Sequence, residues 1–100
     1  MYWVSAVRYN ADHSRIEDVR EHFDPGRHWW RRILEVTSEA TRETALSRIQ
    51  AGGSYSTMHP YGRTWKAGDR IRIVAIDGER YLRVDSQSTP RDYLGDIPQF

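Results

Sequence analysis

The sequence predicts an α+β fold, an antiparallel sheet of about five strands with one helix packed on one face. Three stretches carry that expectation. Asp69 to Asp85, DRIRIVAIDGERYLRVD, reads as a β-hairpin. Tyr2 to Tyr9, YWVSAVRY, reads as a strand from its β-branched and aromatic content, and Thr41 to Ala51 reads as a helix. One hundred residues fit one small domain with a single core and little margin.

In the hairpin, Asp77-Gly78 forms the two-residue loop, because both central positions of such a turn take φ > 0. That loop sets a register: Ile76 opposite Glu79, Val74 opposite Tyr81, Ile73 opposite Leu82, Arg72 opposite Arg83, Ile71 opposite Val84 and Arg70 opposite Asp85. Ile71, Ile73, Leu82 and Val84 then share a face that wants a core. Arg70, Arg72, Tyr81, Arg83 and Asp85 fall outward on a partly cationic side.

Both faces of Tyr2–Tyr9 carry apolar residues, which marks a central strand. Asn10 to Ser14 is a turn by composition. Arg15 to Phe23 carries two signals. Ser14 with Glu17 matches a capping box and Ile16, Val19 and Phe23 sit at helical spacing, yet the resemblance described below favours a strand, which we adopt. Asp24-Pro25-Gly26 is a turn. Arg27 to Thr37, RHWWRRILEVT, is read as a strand returning along Arg15–Phe23, because its end is β-branched. The Thr41 helix has Thr41 as N-cap, Glu43 in the first turn, Ala45, Leu46 and Ile49 as apolar stripe, and Gly52-Gly53 as stop. Ser54 to Thr57 is expected as a short strand, Met58 to Tyr61 as a loop and Gly62 to Trp65 as another short strand. Lys66 to Asp69 then turns into the hairpin. Ser86 to Pro90 is a polar loop. Leu94, Ile97 and Phe100 are spaced to dock the tail as a helical turn or an irregular clamp.

Several of these pieces together resemble a small uncharacterised bacterial and phage family known only as a domain of unknown function. They are Trp3-Val4-Ser5-Ala6-Val7-Arg8, Ile16-Glu17-Asp18-Val19-Arg20, the helix ending in Ile49-Gln50-Ala51-Gly52, Tyr81-Leu82-Arg83, Asp92-Tyr93-Leu94 and Ile97-Pro98-Gln99-Phe100. Where the family has Asp-Asn-Leu, this chain has Asp92-Tyr93-Leu94, and it carries a longer segment around His28-Trp29-Trp30. The resemblance implies a small α+β domain and no known reaction. The family's distribution suggests an accessory protein of phages or mobile elements, such as an inhibitor of host machinery.

Composition excludes little. Fifteen basic and fourteen acidic residues give a formal net charge of +1, so there is no global pull toward nucleic acid or anionic lipid. The basic side is almost all arginine, Lys66 being the single lysine. With no cysteine, disulfides and thiolate metal sites are absent. No apolar run has the length of a membrane span and no signal-peptide pattern opens the chain, so the expectation is a soluble cytoplasmic protein without membrane contact. Four Trp, six Tyr and two Phe are many for this length.

Chemistry-bearing motifs are weak. His13, His22, His28 and His59 form no i, i+4 pair and have no carboxylate at ligand spacing, so no metal is expected. No serine lies in a Gly-x-Ser-x-Gly context. The carboxylate clusters Glu17, Asp18, Glu21 and Glu35, Glu39, Glu43 lie among arginines and read as salt-bridged surface rather than an acid–base pair. Two features stand apart. Arg72 and Arg83 face each other, and like charges directly opposite need a carboxylate, a ligand or a partner between them. In His28-Trp29-Trp30-Arg31-Arg32, adjacent tryptophans on a strand point to opposite sides, which leaves one outside beside arginine. The sequence therefore supports a non-enzymatic, cofactor-free binding domain acting through protein–protein interaction. Trp29, Trp30, Arg31, Arg32, Arg72 and Arg83 are its candidate contacts. The alternative is a nucleic-acid or nucleotide-binding module using the same Arg/Trp surface. The outer side of the hairpin also offers a face for a second copy of the chain.

Overall fold

The computed structural model describes residues 1–23 and 38–100. The described elements run β1 (Tyr2–Tyr9), β2 (Ile16–Phe23), β3 (Ser38–Thr41), α1 (Arg42–Gln50), β4 (Tyr55–Tyr61), β5 (Thr64–Arg70), β6 (Arg72–Ile76) and β7 (Glu79–Arg83). The α+β class holds. Among the described residues the strands make a five-stranded sheet in the order β3-β2-β1-β4-β5 and a separate two-stranded sheet, β6-β7.

The large sheet is mixed rather than antiparallel. β1 pairs antiparallel with β2 but parallel with β4. The cause is α1. Because β3 runs antiparallel to β2, it points the same way as β1. The helix then carries the chain back across the sheet, so β4 starts in that same direction, as a helical crossover requires. Thr41 caps α1 as expected, its side chain accepting from the Thr44 N–H at 3.3 Å. Past the C-cap Ala51, Gly52 takes φ +96°.

Arg15–Phe23 is a strand over Ile16–Phe23, and its helix-like spacing has a structural cause. The β1–β2 register slips twice, between Val4 and Ala6 and between Arg8 and Tyr9. The first bulge leaves Ser5 as the extra residue and the second leaves Glu17. Each bulge reverses the inward–outward alternation. Val4 and Val7, and likewise Ile16 and Val19, therefore reach the same buried cluster although three residues apart. That cluster also takes Ala45 and Leu46 of α1, Tyr55, Ile71, Leu82, Leu94 and Ile97. On the other face of β1, Trp3 and Met58 form a second cluster, with Trp65 packed against it.

Two local expectations are corrected. Met58–Tyr61 is strand, not loop: β1 meets β4 at Tyr55–Thr57, so beyond it β4 has a single partner among the described residues and tolerates Pro60. Lys66–Asp69 is also strand, not turn. Gly68 serves close approach instead of chain reversal, since a Cβ there would lie 2.6 Å from His59 Nε2 and closer still to Thr57 Oγ1. The turn between β4 and β5 lies at Gly62-Arg63, with Gly62 at φ +60° as a two-residue loop of type II′ needs.

The hairpin register is observed from Arg72↔Arg83 to Ile76↔Glu79, with Asp77 at φ 50° and Gly78 at φ 81°. It stops at that point. Arg70 pairs with Ser56 in β5, not with Asp85, and Ile71 donates its N–H to the Tyr55 carbonyl at 2.8 Å while burying its side chain. Ile71 is where the chain leaves one sheet for the other. Leu82 is buried, but Ile73 is only half-buried. The expected strand Arg27–Thr37 and the Asp24-Pro25-Gly26 turn lie outside the described residues.

The tail is a clamp without a helix. Leu94 and Ile97 enter the main core, and Phe100 sits under Arg8 and Arg20, each guanidinium 4.5 Å from the ring centroid. No helix among the described residues is long and apolar enough to cross a membrane.

Candidate partner-binding surface

Two buried ionic centres hold the scaffold on which any surface is displayed. The Asp92 carboxylate accepts from the N–H groups of Ile16 (2.8 Å) and Leu82 (2.9 Å) and from Arg42 Nε (2.7 Å). This joins the tail to β2, β7 and α1. Glu21 accepts from the Tyr55 hydroxyl at 2.7 Å and pairs with Arg48 at 2.5 Å, while Arg48 lies 4.5 Å over the Tyr2 ring. The acidic cluster around Glu17 is thus surface only in part: Asp18 meets Arg8 at 3.4 Å, whereas Glu21 is 3% exposed. Burial first, and the bond to Glu21 second, hold the Tyr55 hydroxyl above its ordinary value of 10.0. Burial also raises Tyr9. Both tyrosines stay neutral in the fold, so their contribution to stability should be level below pH 10 and fall as pH rises above it, where only the unfolded chain ionises freely. Urea midpoints between pH 8 and pH 11 check this. Tyr55→Phe should flatten the alkaline decline, and an unchanged decline would separate Tyr55 from it.

Among the described residues no group of three His, Asp or Glu side chains could hold a metal ion. Ser5 Oγ lies 2.8 Å from His22 Nε2, but both residues are buried.

The structure separates the sequence-predicted contacts. Arg83 was expected outward and is instead 4% exposed. Its guanidinium reaches Asp85 through Nε (2.6 Å) and Nη2 (3.0 Å) and donates to the Arg91 carbonyl (2.9 Å). The bonds to Asp85 raise the Arg83 pKa, and the same pairing holds Asp85 below the ordinary carboxylate value. The repulsion between facing arginines is therefore answered by Asp85, next but one along the same chain. Arg83→Gln should lower stability by more than about 1 kcal/mol, and added salt should change that little. Urea denaturation at two salt concentrations reads it, and an unchanged or raised midpoint would return Arg83 to the free surface. Arg72 is exposed opposite it. Trp29, Trp30, Arg31 and Arg32 lie outside the described residues.

A surface that sequence reasoning missed runs along β5. Beyond Thr57, β4 no longer pairs with β1 among the described residues, and β4 and β5 continue as a two-stranded arm. Tyr61 at its tip is 65% exposed, and β5 is exposed at every residue except Trp65, which is half-buried. β5 is an edge strand, so among the described residues its outer hydrogen-bonding side meets no other strand. Arg63, Lys66, Arg70 and Arg72 lie on or beside it with Asp69 as the only acid between them. This makes the stretch more positive than the chain's net charge of +1. None of these four cations forms an ion pair among the described residues. Where β5 passes into β6, Ile49 from α1 and Ile71 and Ile73 form an apolar crevice of about 340 Å³ between Arg70 and Arg72. The signal for this surface was present as the basic run from Arg63 to Arg72, preceded by Tyr61 and interrupted by Trp65. The turn assigned to Lys66–Asp69 concealed it. No family model, no curated protein and no solved structure matches this chain.

Proposed function

We propose that this chain is a non-catalytic binding domain that works through protein–protein interaction, its partner joining the open edge of β5 as an added strand. The observation that carries the reading is the edge itself, a seven-residue strand whose outer hydrogen-bonding side is open, with four cations beside it that form no ion pair, among the described residues. Edge strands are templates for such addition unless something blocks them. Alternation along the pair assigns the outward groups. Tyr61 and Thr64 flank the two-residue loop and form its closing hydrogen-bonded pair, so Trp65 and Ala67 turn their N–H and C=O groups away from β4.

Ala67→Pro tests this, because it removes one outward donor and edge strands tolerate proline. Peptides selected from a displayed random library on the parent domain should fail to bind the variant, with the urea midpoint of the variant showing that it still folds. Binding that survives Ala67→Pro would remove β5 as the site.

A nucleic-acid module remains the second reading, favoured by the exposed Tyr61 with Lys66 5.9 Å over its ring, beside Arg63. A single-stranded oligonucleotide bound with a steep inverse dependence on salt would support it over the protein reading. The phage or mobile-element setting implied by the family resemblance is checked by the genes flanking this one.

A further inference from the structure

We infer that the segment added to β5 is acidic and carries an aliphatic side chain that seats in the crevice between Arg70 and Arg72. This rests on the strand-addition reading above and names the partner's chemistry. The crevice begins where β5 ends. Arg70 is the last residue of the edge strand and also one wall of the crevice, so a chain that follows the edge passes directly over it.

Three isoleucines line the crevice between the arginines. Ile71 is 4% exposed and belongs to the main core, while Ile49 and Ile73 are half-buried and packed against it. An incoming aliphatic group would complete their burial. At about 340 Å³ the space is at the lower end of small-ligand pockets and has room for one or two side chains.

The walls are cationic and uncompensated. Arg8, Arg15, Arg42, Arg48 and Arg83 each have a carboxylate partner. Arg70 and Arg72 have none among the described residues, although they flank a single residue. Two guanidiniums at one apolar crevice favour a carboxylate over any neutral group, because each can bind it through paired N–H donors. Charge complementarity thus selects an acidic segment, and the aliphatic floor requires at least one Ile, Leu or Val beside the acids.

The test selects peptides from a displayed library of random heptapeptides on the folded domain, then on the folded double variant Arg70→Gln/Arg72→Gln and on Ala67→Pro. Sequences rich in Asp and Glu around one aliphatic residue are expected. A synthetic peptide of the selected sequence should bind the double variant about tenfold or more weakly, as losing charge-assisted bonds implies. Its Glu→Gln and Asp→Asn analogue should bind the parent domain equally weakly. Neutral or basic sequences that are lost on Ala67→Pro would leave the edge reading standing and overturn this inference. Acidic sequences that bind the double variant undiminished would also overturn it. Recovery of no sequence at all would overturn both.

Discussion

Asp92→Asn should destabilise this domain by about 3–5 kcal/mol, a large share of the roughly 5–15 kcal/mol available to a fold of this size. The Asp92 side chain is fully buried, and the Arg42 side chain beside it is 12% exposed. Asparagine matches the shape but not the chemistry. One of its two oxygen positions becomes an amide that turns donor hydrogens toward either the Leu82 N–H or the Ile16 N–H, both of which are donors themselves. Arg42 meanwhile keeps its charge without its buried counterion. A double-mutant cycle with Arg42→Met isolates the pair. Each single change should cost more than half of the double, because each leaves a partner unmatched in the interior. A cost for Asp92→Asn under about 1 kcal/mol would show that the tail is held by its apolar residues alone.

Leu82→Ala should cost about 2–5 kcal/mol. Leu82 is 1% exposed and shares a buried cluster with Leu46, Ile71 and Leu94. Truncation would leave a cavity bounded by helix, hairpin and tail, and these three cannot all close on it at once. Ile73, its partner across the pair, should cost clearly less, since it is already half-exposed at the crevice. The order of the two urea midpoints is the critical result. If Ile73→Ala proved the more damaging, the inner side of the hairpin would be wrongly assigned.

Those two residues also show how far the sequence could be read. Their pairing was legible because Asp77-Gly78 admits few turn geometries, and a two-residue loop fixes every pair behind it. α1 was legible because Thr41 and Gly52 bracket a short apolar stripe. Single-residue insertions were not legible. A bulge at Ser5 or Glu17 costs the sequence no marker, yet it exchanges inside for outside along the rest of the strand. Gly68 was misread because glycine signals both a turn and a close approach, and only the position of Thr57 and His59 decides between them. Glu21 looked like surface because its partners Arg48 and Tyr55 are 27 and 34 residues away. The candidate surface suffered most. Continuing the hairpin back to Arg70 assigned Asp85 to Arg70, which left Arg83 looking free and hid both the edge of β5 and the crevice at its end.

The tail's grip on β1 has a consequence for how the protein is made. Val7 donates its N–H to the Pro98 carbonyl at 2.9 Å and accepts from the Phe100 N–H at 3.1 Å. Arg8 reaches the Phe100 carbonyl at 3.3 Å across 92 residues of chain. A ribosome delivers β1 before these partners. Until they emerge, β1 waits with apolar groups on both faces, and the long-range closure that shields it is of the slow, aggregation-exposed kind. Folding then waits until Phe100 has left the exit tunnel. Stalled nascent chains should become protease-resistant only when a linker long enough to fill the exit tunnel follows Phe100. Resistance acquired with Phe100 still inside the tunnel would mean that the first strand is secured without the last.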